Sequence, residues 1–294
     1  MSRLPAALLL AILWLAPRTV IGELLVFTGV PPMKTLIEQI GGDAVDVQAL
    51  VAPGYNPHSH EPTPRQVTAL AQADLYIGVQ LPFEQAWLPR IRTANPDLKV
   101  LHATDVLTAG PFSGHCPHTH DSETGSGATA SGDCDPHVWT SPRLARSMIG
   151  PIRDALIALD PHHAATYHDN HDLFARQLDA LDAELETLLE PYRGRRFLVL
   201  HPGWGHFAAA YGLVQVAIEQ DGKEPGARSL AELVDQARRD RLRVIFVQPQ
   251  FDRRLASRLA DSVGAELLPA DPLAPDYMVN LRRVAAQLAG SFVP

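Results

Sequence analysis

Residues 115–137 read HCPHTHDSETGSGATASGDCDPH, with His115, His118 and His120 in the first six positions and His137 closing the stretch. Imidazole is the commonest protein ligand for metals, and short His-rich tracts read as metal binding. The small and polar residues between cannot build a packed core, so folding alone does not account for the histidines. Three more candidate ligands lie elsewhere: His58 in VAPGYNPHSHEPTP, His201 directly after RRFLVL, and Asp271 directly after AELLPA. Three imidazoles and one carboxylate, His58, His137, His201 and Asp271, make a closed four-coordinate set suited to Zn²⁺. Ca²⁺ or Mg²⁺ would want mostly oxygen. Mn²⁺ favours more carboxylate than this set offers, whereas Cu²⁺ and Ni²⁺ would bind it in vitro. A filled shell also disfavours catalysis, because a catalytic zinc keeps one position open for water.

Each of these residues has a blander reading. His60 and His206 neighbour the candidates and are either replacements for them or supporting and surface groups. Asp271 precedes Pro272 and is alternatively a turn cap. Asn56 and Asp135, each before a Pro-His pair, read as turn-formers that aim the next imidazole. His162, His163, His168 and His171 read as a solvated helix face, and His102 as structural.

The elements that position the four candidates alternate between short apolar strands and amphipathic helices. Strands are expected at 24–28, 45–51, 75–79 and 99–102, then at 196–200, 214–219, 244–248 and 265–269. Helices are expected at 33–40, 63–71 and 83–91, then at 205–211, 230–238, 253–263 and 278–289. Such alternation means parallel sheets with right-handed crossovers. In open parallel sheets, ligands bind outside the carboxyl ends of the strands, where all four candidates fall, two in each half. Between the halves, Leu173, Leu178, Leu181, Leu185 and Leu188 recur at helical spacing within residues 164–190, bracketed by Pro161 and Pro191. The expected fold class is therefore α/β: two parallel-sheet lobes, 23–163 and 191–294, joined by one long rigid helix, with a metal site in the cleft between them.

The chain has 294 residues and a hydrophobic fraction of 46%, normal for a globular protein. Its net charge of −8, and the lack of a basic patch interleaved with aromatics, argue against nucleic acid. Arg3 followed by the apolar run 4–16 and the small or modest residues of 20–22 reads as a secretory signal cleaved before Glu23; a buried N-terminal helix is the alternative. The run is too short for a comfortable transmembrane helix. No Cys follows it to carry a lipid, so a periplasmic protein without an anchor is expected. Export changes the meaning of the two cysteines. Cys116 and Cys134, flanking the His-rich loop 113–134, read as a disulfide, with a Cys/His metal site as the alternative.

Seven ordered blocks carry a family resemblance. PGYNPHSHEPTPRQVTALAQADLYIGV, LPFEQAWLPRI, DPHVWTSPRLA, LHPGWGHFAAAYGL, KEPGARSLAEL, VIFVQPQFD and ADPLAPDYMVNL together resemble the periplasmic solute-binding proteins of zinc and manganese ABC transporters. The resemblance covers essentially everything past residue 23. It implies two α/β lobes joined by a rigid helix, with metal held between them by His58, His137, His201 and Asp271. Zinc members of that family carry His at the third ligand position and manganese members Glu, so His201 points to Zn²⁺ over Mn²⁺. Zinc members also often carry a His-rich loop before the second ligand. HPGWGHF departs from the commoner His-Asp-Ala version of the third segment. The function so implied is capture of Zn²⁺ by a non-enzymatic monomer and its delivery to a membrane permease with a cytoplasmic ATPase. The alternatives are a secreted zinc hydrolase, for which Glu61 and Glu219 are the available carboxylates, and a permease-independent metallochaperone or adhesin. No H-E-x-x-H helix or G-x-S-x-G elbow supports the hydrolase.

Overall fold

The computed structural model describes residues 23–107, 135–219 and 225–293. The expected signal segment and the His-rich loop, with His115, His118, His120, Cys116 and Cys134, lie outside the described residues.

The first sheet holds β1 (Leu24–Thr28), β2 (Val45–Ala49), β3 (Leu75–Gly78) and β4 (Lys99–His102), in the order β2-β1-β3-β4 and parallel throughout. Its crossovers are α1 (Pro31–Gly41), α2 (Pro64–Leu70) and α3 (Pro82–Ala94). All three helices carry Pro in the first turn, where its missing N–H costs nothing. Thr63 and Gln66 add a reciprocal capping box to α2. Two helices follow, α4 (Pro142–Leu159) and α5 (Ala164–Leu189). The second sheet has β5 (Arg196–Val199), β6 (Val214–Ala217), β7 (Val244–Val247) and β8 (Glu266–Pro269), ordered β6-β5-β7-β8, again all parallel. Around it lie α6 (Gly205–Ala210), α7 (Ala227–Arg239), α8 (Arg254–Val263) and α9 (Tyr277–Phe292).

The two-lobe α/β expectation and the long central helix hold. Strands β2, β3, β5, β6 and β7 end one or two residues sooner than expected, although Leu50, Val51, Ile218 and Glu219 still donate to the neighbouring strand. Helix α4 is not among the expected elements. In the molecule Pro151 sits inside α4. Its lost hydrogen bond is outweighed by Leu144, Met148, Ile149, Ile152 and Leu156, all buried at helical spacing.

The leucine stripe of α5 also needs correction. Leu178, Leu181 and Leu185 are fully buried, but Leu173 and Leu188 are exposed, and the buried face is completed by Tyr167, Phe174 and Leu189. Nor is α5 a free-standing rod. One continuous core takes residues from both sheets and from α4, α5 and α9. The Arg143 guanidinium on α4 donates to Asp182 and Glu186 on α5, and its Nη1 donates to the Ala210 carbonyl at the end of α6 (2.7 Å). A second, smaller core fills the layer between the second sheet and α7 and α8.

Candidate metal centre

His58 sits in the single 3-10 turn Pro57–Ser59 beyond β2, and His137 in the turn leading into α4. In both, an Asn or Asp two residues earlier closes an Asx turn. Asn56 Oδ1 accepts from the His58 N–H (2.8 Å) and Asp135 Oδ1 from the His137 N–H (3.0 Å). The turn role expected of both residues is thus present. His201 lies two residues beyond β5. Its N–H donates to Gln248 Oε1 (3.2 Å), the Gln248 amide donates back to its carbonyl (2.7 Å), and its ring stacks on Phe251 at 4.4 Å.

The three imidazoles meet. Ring centroids are 4.7 Å apart for His58–His201 and 5.4 Å for both His58–His137 and His137–His201. One donor atom from each lies within 4.8 Å of the other two, and His58 Nε2 is 3.0 Å from His201 Nε2. His137 and His201 are buried and His58 is half-buried. Burial first, then the charges of His137 and His201, push the His58 imidazole down to about 3. Burial likewise lowers His201, only partly offset by its bond to Glu219. Both rings are thereby kept neutral, the form that binds metal.

Carboxylates stand behind two of the rings. Asp135 Oδ1 is 2.6 Å from His137 Nδ1, and Glu219 Oε1 is 2.6 Å from His201 Nδ1. Burial alone would raise the Asp135 carboxyl. The His137 charge and hydrogen bond, with His206 beyond, outweigh that and hold it below the usual carboxylate range.

The other sequence candidates divide. Asp271 is not in the group of donors within 4.8 Å of one another. Its Oδ1 accepts from Gln250 Nε2 (2.7 Å) and from the Leu273 N–H (2.9 Å), so it does form a turn. Its neighbour Pro272 nevertheless borders the site: a Cβ built on Gly203 would touch both Pro272 Cγ (3.4 Å) and His137 Nε2 (3.7 Å). His60 packs edge-on to Phe83 at 5.0 Å and lies outside the triad. His206 Nε2 donates to the Asp135 main-chain carbonyl (2.8 Å), a supporting position. Glu61 is exposed, and Glu219, the carboxylate a hydrolase would use as its base, is already engaged by His201. Sequence reasoning weighed Glu219 and Asp135 for other roles and missed Gln248. The available signal was position, since Glu219 and Gln248, like His201, stand just past a strand end.

Two parallel-sheet lobes carry an imidazole triad gathered from the loops beyond their strands, a donor set that could hold a nitrogen-preferring cation. The family model "Zinc-uptake complex component A periplasmic", ZnuA, matches residues 26–291, and the chain belongs to that family. Among similar curated proteins is the zinc-binding lipoprotein AdcA of Streptococcus pneumoniae serotype 4. It is 28% identical over 258 residues, 86% of this chain and 50% of that protein, so the chain spans about half the length of this relative. The high-affinity zinc uptake system protein ZnuA of Bacillus subtilis is 30% identical over 248 residues, 83% of this chain and 76% of that one. A crystal structure of ZnuA superposes with a TM-score of 0.80 at 33% identity, covering 92% of this chain and 99% of that one. A ZnuA deletion mutant with zinc bound gives the same figures. No described helix is long and apolar enough to cross a membrane.

Proposed function

We propose that this protein is the periplasmic solute-binding component of an ABC transporter, capturing Zn²⁺ and handing it to a membrane permease with its ATPase. The observation that carries this reading is the triad: His58, His137 and His201 present ring nitrogens to one point, and two of the rings are backed by carboxylates. Soft or borderline cations prefer such donors, and a carboxylate from Asp271 would complete a tetrahedral Zn²⁺ shell. The ion is cargo, and the protein acts as a monomeric carrier rather than an enzyme. Its lobes are 23–163 and 191–294, with 164–190 as the stiff connection. Export by residues 1–22 puts it in the periplasm. The His-rich loop collects metal weakly. Elemental analysis of residues 23–294 and competitive chelator titration with Zn²⁺, Mn²⁺ and Cu²⁺ test the assignment. One tightly held zinc is expected, with His201→Ala losing far more affinity than deletion of residues 115–132. Equal losses would remove the two-tier arrangement, and stronger binding of Mn²⁺ would overturn zinc.

A further inference from the structure

The register of the second sheet does more than place His201. Strand β5 pairs with β6 in parallel, with Val199 opposite Ala217. The pairing continues past the strand ends through Ile218 N–H to Val199 O and Glu219 N–H to Leu200 O, both near 2.9–3.0 Å. Two residues past Val199 and Ala217, His201 and Glu219 stand side by side at the same sheet edge, which is why the carboxylate meets Nδ1 at 2.6 Å. In the other lobe Asp135 reaches the same atom of His137 from within its own turn. His58 has no carboxylate against Nδ1 among the described residues.

We infer that Glu219 and Asp135 are positioning residues of the metal centre, each holding one imidazole with its proton on Nδ1 so that Nε2 faces the ion, whereas His58 is the ligand held least firmly. The inference rests on the site proposed above. An ionised carboxylate only accepts hydrogen bonds, so the ring nitrogen facing it carries the hydrogen and the other keeps its lone pair for a cation. Fixing the tautomer and ring angle in advance removes an ordering cost from binding, and the negative charge makes the ligand nitrogen more basic. The room for one of these carboxylates is itself built in. A Cβ at Gly205 would sit 2.8 Å from Asp135 Oδ2, and His206 holds the Asp135 carbonyl from the same segment. The HPGWGH sequence therefore supplies one ligand, His201, and shapes the pocket that braces another. His58 is tied through its backbone N–H and, at its ring, by a 3.0 Å contact of Nε2 with His201 Nε2 in place of a carboxylate, in a turn next to exposed residues 52–55. It is the ring free to swing aside for metal entry and release.

The test uses the mature chain with ¹⁵N-labelled histidine. Zinc affinity is measured by chelator competition, and the protonated ring nitrogen is read from long-range ¹H–¹⁵N spectra, with His201→Ala identifying the His201 signals. Glu219→Ala is expected to weaken zinc binding by about 10- to 100-fold and to leave His201 without a single Nδ1-protonated form. Glu219→Gln, whose side-chain oxygen still accepts, is expected to keep the tautomer and lose less affinity. It also decides the matter if the alanine variant fails to fold, since a scrambled His201 tautomer in the glutamine variant together with unchanged affinity would overturn the inference. So would a Glu219→Ala protein with the wild-type affinity, or one that loses affinity with its tautomer intact. Undiminished zinc affinity in His201→Ala would instead sink the site assignment itself.

Discussion

Glu84 is 1% exposed, yet it lies at the strand ends of the first sheet, against the residues just past β3. Its Oε1 accepts from the Tyr76 hydroxyl (2.8 Å) and its Oε2 from the N–H groups of Val79 and Leu81 (both 2.9 Å), so the carboxyl ties β3 to the start of α3. Burial raises it from 4.5 to about 7 despite those bonds. A folded-state pKa above the unfolded one gives stability that is complete below about 4.5 and is lost as pH rises through about 7. That contribution is at most roughly 3 kcal/mol, because a tenfold change in proton affinity is worth about 1.36 kcal/mol. Urea denaturation of the metal-free protein at pH 5 and pH 8 should therefore show a loss that Glu84→Gln flattens; parallel curves for the two proteins would refute it. Two glycines invite a sharper comparison. A Cβ on Gly205 would crowd Asp135 Oδ2 at 2.8 Å, while one on Gly203 would meet only ordinary contacts at 3.4 Å and beyond. Gly205→Ala should weaken zinc binding, by an order of magnitude if the Asp135 brace is displaced, and Gly203→Ala should bind nearly as the parent does.

Among the helices, α5 shows how periodicity can be right and its phase slightly wrong. Leucines spaced three to five apart announce a helix, but several apolar faces satisfy that spacing, and the partner helices select one. Contacts with α1, α4 and α9 choose the face through Phe174, Leu178, Leu181 and Leu185 and leave Leu173 in solvent. Leu181→Ala should therefore cost about 2–5 kcal/mol, and Leu173→Ala within about 0.5 kcal/mol. Chemical denaturation of both variants checks this, and similar losses would mean that α5 does not pack as described. Helix α4 is hidden in the sequence for a related reason. A proline in a helix interior is penalised locally, and only neighbours that bury the rest of the face can offset it.

As a molecule, the protein is two sheets that share one core, with the triad drawn from both halves of the chain. A ligand that binds only the folded arrangement stabilises it by mass action, about 2.7 kcal/mol at a free concentration one hundred times Kd. Zinc should raise the melting temperature of the chelator-stripped protein, and His137→Ala should abolish the rise; an equal rise in that variant would place the tight ion elsewhere. Much of this was readable in the one-dimensional pattern. Strand and helix periods report local burial, so the α/β alternation and the long helix were legible. Asn-Pro-His and Asp-Pro-His encode their turns within three residues, and a histidine directly after a hydrophobic strand is already at the edge where parallel sheets bind ligands. What remained hidden depends on which strand lies beside which, and in what register. Nothing near Glu219 in the chain says that it will stand next to His201, 18 positions earlier, and nothing near Glu84 says that Gly29 and Gly78 will leave it room. Those relations arise from long-range pairing and close packing, whose energies are set by the assembled neighbours and not by the residues one after another.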